Sequence, residues 1–267
     1  MHLSSLYRFP LKSATAEALE EACSDELGLI GDRRWMVVDA ETGKFLTQRA
    51  LPQMVQLQAK WDGDQALRLE APTMDALRVE VPNQSEAERG VVIWREALRA
   101  PDAGDAASVW LTRFLGRPCR LVFLPVANGI QVDQAYARPG DRTAFSDGFP
   151  FLLIGQASLD DLSARIGRPL DMRRFRPNLV VTGSEAYAED SWRRIRIGAI
   201  EFRVVKPCSR CVIPTIDPLT AERSLDREPL ATLMTYRKGE GGVFFGQNLI
   251  AEQTGYLSVG MPVEVLD

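Results

Sequence analysis

Histidine is almost missing from this sequence: the single one, His2, lies at the extreme N-terminus, where chain order is least expected. Ser-His-Asp and Cys-His catalysis, the usual catalytic zinc sites and most haem ligation all need a placed imidazole, so they are excluded together. Four cysteines in 267 residues are too few for a disulfide framework. A chain of this length can bury a core without covalent staples, so a thiol here points to metal or redox chemistry instead. No apolar run approaches the roughly 18 residues that span a bilayer, and the opening stretch Met1 to Pro10 lacks a basic segment followed by an apolar one. The expectation is a cytoplasmic protein with no membrane partner. Walker and dinucleotide glycine fingerprints are also absent; Lys238-Gly239-Glu240-Gly241-Gly242 does not sit between a strand and a helix and is read as a flexible loop.

The net charge of −4 argues against a nucleic acid polymer as partner. The distribution is uneven, however: between Arg165 and Arg210 eleven basic residues face five acidic ones. A local positive field on an acidic protein suits a compact anion, or a solvated basic face.

Hydrophobic residues make up 45% of the chain and charged ones 25%, as in a globular protein. Period-two alternation at Leu67–Glu70, Leu77–Val81, Arg194–Ile197 and Val263–Val265 predicts half-buried strands. The apolar runs Trp35–Val38, Phe151–Ile154 and Leu179–Val181 predict strands covered on both faces. Three helices are expected. One carries Ala107, Leu111, Phe114 and Leu115 and stops at Gly116; a second starts with a Ser158/Asp161 capping box and stops at Gly167; a third opens at Pro229. So few helices among so many strands give a mainly β (α+β) class with β-barrels favoured over a doubly wound sheet. The best boundary lies in the Gly104–Pro118 region, dividing the chain into 1–116 and 117–267.

Cys208-Ser209-Arg210-Cys211 is the one conspicuous cluster. A zinc site would need two more ligands, and neither Cys23, Cys119 nor His2 has a paired spacing. A thioredoxin-like dithiol should open a long helix, which Val212-Ile213-Pro214 cannot do. Two thiols in a structural turn are a third reading. The fourth is one thiolate bound to a soft or high-valent metal, kept deprotonated by Lys206 and Arg210, with a non-protein ligand supplying the other donors.

Several segments, taken in order, resemble the MOSC-domain proteins that carry an N-terminal MOSC β-barrel domain, a group that includes the amidoxime-reducing components. They are Tyr7-Arg8-Phe9-Pro10-Leu11-Lys12-Ser13, Gly31-Asp32-Arg33-Arg34-Trp35-Met36-Val37, Phe145-Ser146-Asp147-Gly148-Phe149-Pro150, Arg174-Phe175-Arg176-Pro177-Asn178, Glu189-Asp190-Ser191-Trp192, Cys208-Ser209-Arg210-Cys211 and Phe245-Gly246-Gln247. Together they span nearly the whole chain.

The resemblance implies an N-terminal MOSC β-barrel domain over 1–116, a MOSC domain over 117–267, and a molybdenum cofactor (molybdopterin) where the two β-rich parts meet. Cys211 would be the metal ligand, with no assured role for Cys208. Lys12, Ser13 and Arg33 would grip the cofactor phosphate, and Arg176, Asn178 and Ser209 the pterin and its linker. Pro177 is expected to hold Arg176 in extended backbone, and Asn178 offers a donor and an acceptor. Asp147 would be a proton or cofactor contact, or would cap a turn. Trp35 and Trp192 are read as core. The implied activity is reductive removal of oxygen from N-hydroxylated small molecules, with two electrons from a separate donor protein of ferredoxin, flavoprotein or cytochrome type, because neither a plant-type ferredoxin cysteine motif nor the membrane anchor of eukaryotic relatives is expected. A sulfur-carrier or cofactor-handling MOSC protein is the alternative.

Overall fold

The computed structural model describes residues 1–83 and 87–267, and among them strands predominate, with three α-helices. The largest sheet has nine strands. Its main path runs Glu17–Leu19, His2–Arg8, Leu179–Thr182, Phe151–Gly155, Gly242–Ala251, Ile200–Ser209, Arg194–Ile197 and Val263–Val265, with Lys238–Gly239 paired alongside Gly242–Ala251. All the pairings are antiparallel except that of Phe151–Gly155 with Leu179–Thr182, whose crossover carries the helix Gln156–Ile166. His2 is ordered: it opens the first strand and pairs with Thr182.

The uninterrupted apolar runs are explained by two-sided burial. Trp35 and Val37 enter one core with Leu121 and Leu111, while Met36 and Val38 enter another with Val122 and Phe145. Likewise Phe151, Leu153, Leu179 and Val181 face one core, and Ile154 and Val180 face the layer under the helix Gln156–Ile166. Alternate side chains point to opposite faces of a strand, so a strand packed on both sides must be apolar at every position. Trp35 and Trp192 are both core residues.

The first half builds smaller sheets. The strand Trp35–Asp39 pairs with Cys119–Phe123, a three-stranded meander runs from Gln58 to Glu80, and a hairpin joins Glu88–Ile93 to Glu96–Pro101. The helix Gly104–Leu115 ends as expected at Gly116, which has a left-handed φ of 67°. Leu3 and Leu6 nevertheless pack in the core of the second half, whereas Leu121 and Phe123, past the expected cut at 116, pack in the first. The two halves are thus joined by a crossed strand at each side as well as by the chain between them.

Two local expectations are corrected. Ser158 is the third residue of its helix, not the cap: its hydroxyl donates to the buried Glu189 carboxylate at 2.8 Å and accepts from Tyr187 N at 2.7 Å, and Asp161 instead accepts from Tyr187 and Arg165. A buried carboxylate outcompeted the helix end for the hydroxyl. The Lys238–Gly242 stretch is a tight hairpin, with Gly239 paired to Gly242.

Gly246 lies in the strand Gly242–Ala251 with φ 78°, and a Cβ there would stand 2.6 Å from Ile154 Cγ1 and 2.7 Å from the Leu153 carbonyl oxygen. Gly246→Ala should therefore cost about 2–3 kcal/mol in urea unfolding, against about 1 kcal/mol for Gly116→Ala, where the added methyl meets open space.

Candidate functional site

A cleft of about 470 Å³ opens between the two halves, and every residue singled out for a site lines it: Lys12, Ser13, Arg33, Asp147, Arg176, Asn178, Ser209 and Cys211. They reach it from five segments, Asp147 from the loop between Arg142–Thr143 and Phe151–Gly155. Lys12 and Ser13 follow the first strand, where Leu11 bridges to Trp35 and Lys12 N donates to the Trp35 carbonyl. Arg33 precedes the strand Trp35–Asp39. Arg176 and Asn178 precede Leu179–Thr182, and Ser209 and Cys211 sit at and just past the end of Ile200–Ser209.

Three of these residues, Ser13 (φ 67°), Arg33 (φ 46°) and Arg176 (φ 59°), have left-handed backbones although none is glycine. Such conformations cost roughly 1–3 kcal/mol each and gather where surrounding structure enforces them for a purpose. The extended backbone expected for Arg176 is thereby corrected: it caps the 3-10 turn Met172–Phe175, with its amide donating to the Arg173 carbonyl. Proline disfavours the right-handed helical region for the residue before it, and here the chain turns left-handed instead of extending.

The charges are unevenly compensated. Arg33 is buried, ion-paired to Asp32, and donates to Asn178 Oδ1 at 2.9 Å and to the Arg176 carbonyl at 3.0 Å. Asp32 in turn accepts from Phe9 N at 2.7 Å. Lys12, also buried, donates to the Phe145 carbonyl at 2.7 Å and to Asp147. Arg176 has no carboxylate partner among the described residues; it donates to the Ala14 carbonyl and lies 4.2 Å from the centre of the Phe9 ring, which Arg33 approaches at 4.4 Å. Desolvation first, then the like charge of Arg33, bring the Arg176 guanidinium down to about 9. Burial likewise lowers Lys12, against the opposing pull of Asp147. Desolvation disfavours ionised Asp147, but Lys12, with Arg49 and Arg176 further off, holds the carboxyl at about 2.

Asn178 is almost fully enclosed. Its Oδ1 accepts from Arg33 and from Leu152 N, and its Nδ2 donates to the Tyr7 carbonyl at 3.1 Å, so the side chain ties three segments together around the cleft.

The cysteine loop is held from behind. Arg210 donates to the carbonyls of Phe245 and Phe175, both at 2.8 Å, and Arg174 pairs with Asp217 and donates to the Ile216 carbonyl at 2.9 Å. Cys211 Sγ accepts from Ile213 N at 3.5 Å. Both Cys208 and Cys211 are free thiols, and burial raises Cys208. Among the described residues no group of three or more His, Cys, Asp or Glu side chains could hold a metal, so a metal at Cys211 would draw its other donors from a bound molecule.

Arg49 and Trp94 also line the cleft and were not singled out from sequence. The available signal was Trp94-Arg95 standing where a tight turn between two alternating runs would ordinarily carry glycine or asparagine.

No helix among the described residues is long and apolar enough to cross a membrane. Comparison with known proteins gives matches over the whole chain. The MOSC N-terminal beta barrel domain matches residues 1–118 and the MOSC domain residues 140–264. Human mitochondrial amidoxime-reducing component 1 is 35% identical over 99% of this chain and 82% of its own length, and the bovine mitochondrial amidoxime reducing component 2 is 33% identical over 98% and 82%. A crystal structure of the YUAD protein from Bacillus subtilis aligns over 98% of this chain and 93% of that one, with a TM-score of 0.44 and 10% identity. The chain therefore belongs to the MOSC-domain family, in the group where a MOSC N-terminal barrel precedes the MOSC domain and to which the amidoxime-reducing components belong.

Proposed function

We propose that this protein is a molybdenum-cofactor-dependent oxidoreductase that reduces N-hydroxylated compounds such as amidoximes, hydroxamic acids and N-hydroxylated bases. The observation that carries this reading is a free thiol, Cys211, sharing a cleft with Arg176, a half-buried guanidinium without a carboxylate partner among the described residues. A guanidinium drawn partly out of water with no countercharge is costly, so the donor set suits a bound anion. A lone thiolate suits a metal whose other ligands come from the same bound molecule. A phosphorylated pterin dithiolene meets both needs.

In this reading Cys211 ligates the metal, Lys12, Ser13 and Arg33 hold the phosphate end, and Arg176 and Ser209 follow the pterin and its linker. Asn178 acts mainly by fixing Arg33. The bound cofactor would supply a redox-active metal able to take oxygen from an N–O group. The protein's own part is to place the thiolate, exclude water and deliver protons. Asp147, held at about 2, is ionised at neutral pH, so the proton of the Lys12–Asp147 pair resides on Lys12, whose lowered affinity for it suits a donor. A separate protein would deliver the electrons, and a cytoplasmic location remains part of the proposal.

The reading is tested on protein purified from a host that makes molybdenum cofactor, by assaying metal and pterin and then supplying an artificial electron donor with an amidoxime. Turnover should accompany bound molybdenum. Cys211→Ser should lose turnover and the sulfur–molybdenum signal in X-ray absorption, while Cys208→Ser keeps both; equal loss in the two would point to a dithiol. Sulfane sulfur on molybdenum-free protein would favour a sulfur carrier.

The Lys12–Asp147 pair also sets a pH dependence. Because the folded state depresses Asp147 from its ordinary 3.8 to about 2, its stabilisation is complete above 3.8 and is lost as pH falls toward 2. In urea unfolding, the stability gap between the parent and Asp147→Asn should be constant above pH 4 and close across that window. A gap independent of pH would remove the charge of Asp147 as its source.

A further inference from the structure

We propose that the mouth of the cleft selects planar ligands bearing an anionic substituent, with the Trp94 ring as stacking face and Arg49 and Lys206 as countercharges. The proposal rests on the reductase reading for the fate of the ligand, but not for its recognition.

Trp94 is 49% exposed and lies in the two-residue turn between Ile93 and Glu96, at the tip of the hairpin that the first half extends to the cleft. Its φ of 53° is a conformation that such turns normally reserve for glycine or asparagine, and one that is an outlier for a bulky side chain. The turn needs no tryptophan to close. Its ring packs tilted against Phe45, centroids 4.9 Å apart, yet leaves about half of the residue exposed at the cleft, where a planar ligand can reach it.

The Arg49 guanidinium lies 4.8 Å from the centre of that ring and 3.6 Å from Asp147. The Asp147 carboxylate is already engaged by Lys12, so Arg49 shares its only acidic partner among the described residues through a long contact and is readily drawn to a ligand anion. On the opposite side of the chain order, Lys206 Nζ stands 4.1 Å over the Tyr136 ring with no carboxylate partner among the described residues, and Tyr136 packs edge-on against Phe149, which lines the cleft. Seven Lys and Arg side chains line the cleft against one carboxylate, Asp147. Lys12, Arg33 and Arg176 belong to the cofactor reading, Arg174 is paired with Asp217 and Arg210 is spent on backbone carbonyls; Arg49 and Lys206 remain. A cationic ligand would meet a like-charged field, while an anionic aromatic finds a cation beside a ring face.

The test uses cofactor-loaded protein and three ligands without an N–O bond: 4-carbamoylbenzoate, benzamide and 4-(trimethylammoniomethyl)benzamide. Calorimetry at low salt should give affinities in that order, with the carboxylate about tenfold tighter than benzamide, the worth of one charge-assisted hydrogen bond, and with the preference shrinking as salt is added. An Arg49→Gln/Lys206→Gln double variant should bring the carboxylate to within about twofold of benzamide. Trp94→Gly should weaken all three aromatic ligands with little change in Tm, because relief of the turn offsets the lost contact with Phe45. Equal affinity for the three ligands, or a preference that survives the double variant, overturns the proposal. Turnover of the corresponding N-hydroxy compounds is measured separately. A retained binding preference without any turnover upholds the recognition and overturns the reductase reading.

Discussion

Taking cations out of water is the constraint on which this structure turns. An ammonium or guanidinium loses several kcal/mol of hydration when enclosed, and the loss must be offset by charges or carbonyls in good geometry. Lys12, Arg33 and Arg176 are enclosed at one place, and each is satisfied by the other half of the chain: Lys12 by Phe145 and Asp147, Arg33 by Asn178 and the Arg176 carbonyl, Arg176 by the Ala14 carbonyl. The bonds that make the cations tolerable are thus the bonds that close the two halves on each other. The crossed strands serve the same end, since the segment carrying Lys12 and Ser13 leaves the larger sheet directly after pairing with Leu179–Thr182, which follows Asn178.

The compensation is graded. Arg33 has a buried carboxylate of its own, Lys12 shares one with Arg49, and Arg176 has only a carbonyl and the face of Phe9. That gradient gives the cleft a net demand for an anion. The cost of the left-handed backbones is borne by packing: Ser13 stands between Leu11 and Ala14, both in one core, and Arg176 follows Phe175 in another, so neither can relax without disturbing close-packed side chains.

The legible part of the sequence was its periodicity. Two-faced burial at Trp35–Val38 and Leu179–Val181, and the helix stops at Gly116 and Gly167, follow from rules that act within a few residues. The site residues were legible only as ordered motifs, which say that Lys12 and Cys211 belong together but not that Asn178 spends its amide on three segments. What escaped was decided by partners distant along the chain. Ser158 left its expected cap for Glu189, 31 residues away, and Arg176 turned left-handed to close a 3-10 turn and reach Ala14. Arg49 and Trp94 escaped because nothing local marks an arginine or a tryptophan as facing a cleft.

The two ends of the site are prepared in different ways. Around Cys211 the backbone is fixed by Arg210 and Arg174, whose guanidinium groups are spent on carbonyls and Asp217. That loop needs no ligand to hold its shape, and its thiol is placed in advance. Around Arg176 the backbone is equally fixed, but the charge is left open, so an anion entering there gains electrostatic energy without reorganising the chain. In the proposed reading a phosphorylated pterin would set its phosphate against Lys12, Ser13 and Arg33 with the open charge of Arg176 beside it, and its metal donors at Cys211. On that reading the anionic end would supply most of the attraction, and the cysteine position. The same division would explain why a single thiol suffices in a cleft that no histidine lines.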